Sequence, residues 1–238
     1  MKIDALNIKM NTDIENKDRS NILPVFQTHH ETKAFYNKIA RFYDLLANHS
    51  EAPIRKQAVE MLAPLAGEKI LEIGFGTGHG LVKLARSVGN EGKVYGVDFS
   101  EEMVKIAQKR LEKESLRQRS ILLCSDAANL PFADRTINAV FMSFTLELFD
   151  TPEIPVVLTE CYRVLHPEGR IVVAGLSKIG KQNAIKKAYE WTHRHFPNIL
   201  NCRPIFVSKA LKEAGFIIKS SKIVSMWMPV EIVLTVKQ

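Results

Sequence analysis

The stretch Lys69-Ile-Leu-Glu-Ile-Gly-Phe-Gly-Thr-Gly-His-Gly80 decides how the rest of the chain is read. Ile70, Leu71 and Ile73 form a short apolar run that gives way to glycines at alternate positions, Gly74, Gly76 and Gly78. Such a run predicts a buried strand, a tight turn and a helix starting near Gly78. Glycine lets the backbone take positive φ and lets a ligand approach the main chain closely. In an open α/β sheet a turn of this kind lies at the carboxyl end of a strand, where nucleotide-like ligands bind.

The dinucleotide fingerprint G-x-G-x-x-G/A fails in every register. Counted from Gly74, Gly76 and Gly78, its closing position falls on His79, Leu81 and Lys83. That disfavours a nicotinamide-dependent oxidoreductase. The sequence instead has Glu72, two residues before the first glycine, and Asp98, which closes the next apolar run twenty residues after Gly78. An acid there is placed to accept hydrogen bonds from both hydroxyls of a ribose. The pattern E-x-G-x-G-x-G with its downstream aspartate resembles the class I S-adenosylmethionine (SAM) methyltransferases. The resemblance implies an α/β, Rossmann-like fold. Its seven-stranded, mostly parallel sheet would run in the order 3-2-1-4-5-7-6, with helices on both faces and the last strand antiparallel.

Further along, Ser100 reads as a helix N-cap, with Glu101 and Glu102 in the first turn where negative charge suits the dipole. Met103, in the turn after Asp98, is either core filler or the floor beneath an adenine. Ile121 to Cys124 reads as the third strand and Thr136 to Ser143 as the fourth. Asp126 at a strand end either forms a turn or accepts from an adenine amine, with a neighbouring N–H serving a ring nitrogen. A helix opened by Pro152 is expected to end at His166-Pro167-Glu168-Gly169, with Arg170 to Ala174 as the fifth strand. Ser208 to Ala214 reads as a last helix. A terminal hairpin then pairs Val230–Val236 with either Phe216–Lys219 or Ile223–Met226.

Three strings narrow the family. Tyr36-Asn-Lys-Ile-Ala-Arg-Phe-Tyr-Asp44, the A-x-x-L-P-F-x-D run from Ala127 to Asp134, and Val164-Leu-His-Pro-Glu-Gly-Arg170 resemble the ubiquinone/menaquinone biosynthesis methyltransferases. The resemblance is good over about residues 31 to 175. It implies methyl transfer from SAM to a small-molecule acceptor, a quinone precursor or another lipid-like metabolite. The cofactor residues it implies are Tyr43, Glu72, Gly74, Gly76, Thr77 and Gly78, then Asp98, Phe99, Met103, Asp126, Ala127 and Ser143. After Ser143 the chain reads Phe-Thr-Leu-Glu-Leu-Phe, where the family carries a Phe-Gly-Leu-Arg-Asn-like segment.

Residues 1–30 read as a polar N-terminal arm and residues 31–238 as the methyltransferase domain. The aromatic stripe Phe35, Tyr36, Ile39, Phe42 and Tyr43 recurs at helical spacing. It suggests a lid helix over residues 31–48, with ordinary packing as the structural alternative. Residues 176–204 are too long for a simple αβ connection and read as a substrate cap. His193 and His195 in that cap are candidate bases for a phenolic acceptor. They lack a third metal ligand, so no metal is expected.

With 238 residues, 46% apolar and 25% charged, the chain has room for one α/β enzyme domain. No stretch approaches the ~18 to 20 apolar residues that span a bilayer. The acidic residues Asp4, Asp13, Glu15 and Asp18 do not suit a leader, so a cytoplasmic protein is expected. Three cysteines without metal-ligand spacing read as free thiols. The net charge of +7 allows peripheral contact with an anionic membrane. The basic residues are dispersed and no Asn-Pro-Pro-Tyr-type site is present, so no specific nucleic-acid partner is expected. A methyltransferase acting on RNA, and a silent SAM-binding fold used for protein contacts, are the alternatives to a small-molecule enzyme.

Overall fold

The computed structural model describes residues 48–179 and 203–238. The expected arm, the lid helix up to its last residue, and all but the ends of the cap lie outside the described residues, and with them Tyr43, His193 and His195. Seven strands form one sheet: β1 (Lys69–Ile73), β2 (Lys93–Asp98), β3 (Ser120–Cys124), β4 (Ile137–Ser143), β5 (Leu165–Leu176), β6 (Ile217–Ser225) and β7 (Pro229–Val236). Their order is β3-β2-β1-β4-β5-β7-β6, as expected. The first five strands pair in parallel, and β7 runs antiparallel between β5 and β6.

Strand alternation divides the core in two. Ile70, Phe141, Val172 and Ile232 face one side, where they meet Ala58 and Leu62 of α1 (Asn48–Leu62), Leu81 and Leu84 of α2 (His79–Ser87), and Ala107 and Leu111 of α3 (Glu101–Lys113). Leu71, Ile73, Val140, Met142 and Val173 face the other side. There they pack on Val157, Leu158 and Cys161 of α4 (Glu153–Val164) and on Val207 and Leu211 of α5 (Val207–Glu213). A strand covered on both faces needs a near-continuous apolar run, and β4 supplies one in Ile-Asn-Ala-Val-Phe-Met.

Pro53 lies inside α1, beyond its first turn, so one intrahelical hydrogen bond is forgone there. Three boundaries differ from expectation. Helix α4 stops at Val164, because Leu165 is already extended and pairs with Ile137. The next register pair is Ala139 with Arg170, so His166 to Gly169 bulge out of the ladder and β5 begins earlier than the proline and glycine suggest. At the chain end, the two alternative hairpin partners are one strand, β6, and a register shift between Ile218 and Ser220 absorbs the mismatch.

Arg170 ties the start of β5 to the far end of α1 and the entry of β1. Its guanidinium pairs with both carboxylate oxygens of Glu68 at 2.7 Å and also donates to the carbonyls of Leu62 and Ala63. Burial works to raise the Glu68 carboxyl, but the Arg170 hydrogen bonds and charge outweigh it and hold the group below its ordinary value. Arg170→Ala is expected to destabilise the fold by about 1–3 kcal/mol. Urea unfolding measures the loss, and Arg170→Lys should recover only part of it because the planar fork is missing.

Candidate functional site

At the carboxyl ends of β1, β2 and β4 lies a cavity of about 250 Å³. It is walled by the turn after β1, by the starts of α3 and α4, and by one face of α1. Gly74, Gly76 and Gly78 all take positive φ, at 65°, 53° and 86°. A side chain at Gly74 would strike Thr145, whose Cγ2 lies 2.2 Å from the site of a Cβ. At Gly76 a Cβ would meet nothing within 4 Å, since the position opens into the cavity. Gly78, expected at the cofactor, does not line the cavity. It caps α2, and its missing Cβ lets Ala107 of α3 approach.

Asp98 holds this turn in place. Its Oδ2 accepts the Gly76 N–H at 2.9 Å, and its Oδ1 accepts the Ser100 N–H at 3.0 Å. Ser100 in turn caps α3 by accepting the Met103 N–H at 3.2 Å. Burial pushes the Asp98 carboxyl up to about 6, against the lowering effect of the backbone N–H groups of Ser100, Gly76 and Phe99. Arg110 of α3 braces the same turn from behind, donating to the Thr77 carbonyl at 2.7 Å.

Glu72 lies on the α1 side of β1, 3% exposed. Its carboxylate packs where a side chain at Gly80 would stand. Among the described residues, the buried Oε2 atom has no hydrogen-bond partner. Burial pushes this carboxyl from the ordinary 4.5 up to about 8; the Arg55 charge opposes the shift and Asp98 adds to it. Ser143 Oγ, at the end of β4, is likewise buried without a partner. An orphaned acid and an orphaned hydroxyl facing one cavity are what an ammonium-bearing ligand would satisfy.

The remaining described candidates converge on the same space. Phe99, Met103, Asp126 and Ala127 line it together with Thr77. Met103 is 2% exposed, while its backbone N–H serves the Ser100 cap. Asp126 forms the turn that was its structural alternative, accepting the Ala128 N–H at 2.8 Å, and it still borders the cavity.

Sequence reasoning missed the opposite wall. Glu51 and Arg55 on α1 pair at 2.9 Å, both nearly buried. Phe144, Thr145, Leu148, Phe149, Asp150 and Glu153 form the β4–α4 turn, with Glu153 Oε2 accepting the Asp150 N–H at 3.0 Å. Nothing local in the sequence marks Glu51 and Arg55, because α1 reaches the cavity only through sheet topology; residues 144–149 stood out only as a departure from the family's string. Beneath this wall, Glu147 is fully buried. Burial pushes its carboxyl up to about 7, against the Leu176 N–H, with Glu51 raising it and Arg203 lowering it. Among the described residues, no group of three or more His, Cys, Asp or Glu is placed to hold a metal ion.

A sheet in this order, with a glycine turn and a buried strand-end acid at one cavity, is the frame of the class I methyltransferase fold. A model of the ubiE/COQ5 methyltransferase family matches residues 25–224, and the chain belongs to that family. The match extends at both ends beyond the residues on which the resemblance was read. A demethylmenaquinone methyltransferase of Porphyromonas gingivalis is 33% identical over 62% of this chain, and the match spans 61% of that protein's length. One from Oceanobacillus iheyensis is 29% identical over 82% of this chain and 79% of its own. A solved SAM-dependent methyltransferase from Aquifex aeolicus superposes with a TM-score of 0.59 at 25% identity, covering 77% of this chain and 89% of that one.

The Glu72 environment predicts a pH dependence. The folded protein keeps this proton up to about pH 8, whereas the unfolded chain releases it near 4.5. The folded state therefore binds more protons between those values, and stability falls as pH rises through them. In thermal melts of ligand-free protein, Glu72→Gln should lose less melting temperature than the parent between about pH 5 and about pH 8.

Proposed function

We propose that this chain transfers the methyl group of SAM to a ring carbon of a reduced, quinone-related aromatic acceptor. The observation that carries the proposal is the division of one cavity into two chemically different halves. On the glycine-turn side, Glu72 and Ser143 suit the amino-acid end of the cofactor and Asp98 its ribose. Phe99, Met103, Asp126 and Ala127 suit its adenine. When bound, SAM supplies a methyl group already activated by the positive sulfonium.

The chain's task is then to position the acceptor and exclude water. Phe144, Leu148 and Phe149 on the other half offer apolar surface for an aromatic ring, and the carboxylates of Glu51, Asp150 and Glu153 offer acceptors for ring hydroxyls. The family and its demethylmenaquinone methyltransferase relatives support a quinone-type acceptor. His193 and His195 are retained as candidate bases and Tyr43 as a lid contact. A lipid-like acceptor and the +7 charge support peripheral contact with an anionic membrane. Among the described residues no helix is long and apolar enough to cross one.

The test is incubation of purified protein with methyl-labelled SAM and chemically reduced demethylmenaquinone. Label is expected in the organic phase. Label appearing only in added RNA would overturn the acceptor assignment, and failure to bind S-adenosylhomocysteine by calorimetry would overturn the cofactor site.

Asp98→Ala should weaken cofactor binding by about 1–3 kcal/mol, because it removes a charged acceptor and also frees the Gly76 N–H that shapes the turn. Unchanged affinity by calorimetry would contradict that placement.

A further inference from the structure

The turn after Ser143 is built around an unusual burial. Arg203 is the largest side chain in the described structure with essentially no exposure. It enters at the point where the second described segment begins, next to Ile205, which bridges Ser177 at the end of β5. Its Nη1 donates to Thr151 Oγ1 at 3.0 Å and its Nη2 donates to the Phe149 carbonyl. Asp150, Glu147 and Glu153 surround it electrostatically.

Glu147 lies in the same turn and reaches the other way. Its Oε1 accepts the Leu176 N–H at 3.0 Å. Its Oε2 is buried without a hydrogen-bond partner and fills the space a side chain at Gly175 would need. Neither Glu147 nor Arg203 lines the cavity, but Leu148, Phe149, Asp150 and Glu153 between and beside them do. The helix that follows gains no help from its own cap, since Pro152 offers no side-chain acceptor.

We propose that Glu147 and Arg203 form a buried positioning pair that sets the acceptor wall, Leu148 to Asp150, and so determines which acceptor fits. Arg203 fixes the backbone at Phe149 and the side chain at Thr151, while Glu147 anchors the preceding turn to the end of β5. A buried guanidinium held by several partners has one geometry, so the wall has one position. A displacement of about 1 Å in a positioning wall is enough to cost roughly 100-fold in rate. The pair thus acts through the residues that follow Thr145, the side chain by which this turn meets Gly74. This inference rests on the proposed assignment of that half of the cavity to the acceptor.

The test compares Arg203→Lys, Glu147→Gln and the double variant Glu147→Gln/Arg203→Met, which removes the buried carboxyl and the buried guanidinium together. Each is assayed with reduced demethylmenaquinone bearing a short prenyl chain, by S-adenosylhomocysteine calorimetry, and by hydrogen exchange. The double variant should raise the acceptor KM roughly tenfold or more, with S-adenosylhomocysteine affinity unchanged. Exchange should rise in the peptide around Phe149 but not in the one around Gly76. Arg203→Lys should fall between parent and double variant.

An unchanged acceptor KM with unchanged exchange would overturn the proposal. So would an equal loss of S-adenosylhomocysteine affinity, since the pair would then be general scaffolding. Absence of turnover in the parent protein would strike the acceptor assignment alone; the exchange and calorimetry comparison still decides whether the pair holds the wall.

Discussion

Two hydrogen bonds to one carboxylate organise the glycine-turn half of the cavity. Asp98 ends β2 and holds the Gly76 N–H from the turn after β1 and the Ser100 N–H from the start of α3. It thereby joins the two neighbouring βα turns that form one side of the cavity. The cost is burial of an ionisable group, visible in its raised pKa. Such a group stays charged at neutral pH only because backbone donors surround it.

The second half of the cavity is held by different physics. Thr145 packs against Gly74, so the β4 turn and the glycine turn are in direct contact, and no side chain could be inserted between them. Beyond Thr145, buried charges replace close packing: Glu147 below, Arg203 from the other end of the chain, and Glu51 with Arg55 across from α1. Buried charges of this kind contribute little net stability but tolerate few alternative arrangements. That suits a wall whose duty is shape. The methyl donor is already reactive, so rate depends on placement more than on acid–base chemistry.

Family membership and fold carry different weights in this reading. The sheet order alone is shared by many chemistries, and function lives in the site grafted on it. The family match over residues 25–224 restricts the chemistry.

By itself the sequence determined the glycine turn and the acids at strand ends, because each rests on a local pattern, a run of apolar residues broken by glycines or an acid two residues from a glycine; the sheet order was implied only by the family resemblance those patterns carry. It also determined the Ser100 cap, which needs only four consecutive residues. Only the tertiary structure decided that α1 contributes Glu51 and Arg55 to the cavity wall, that Gly78 caps α2 against Ala107 of α3, and that β6 is a single strand. It alone brought Arg203 to Phe149, 54 residues away. These depend on which elements the sheet order places side by side. An ion pair or wall built from distant segments has no spacing to read, so its residues look like ordinary charges until the strands are paired.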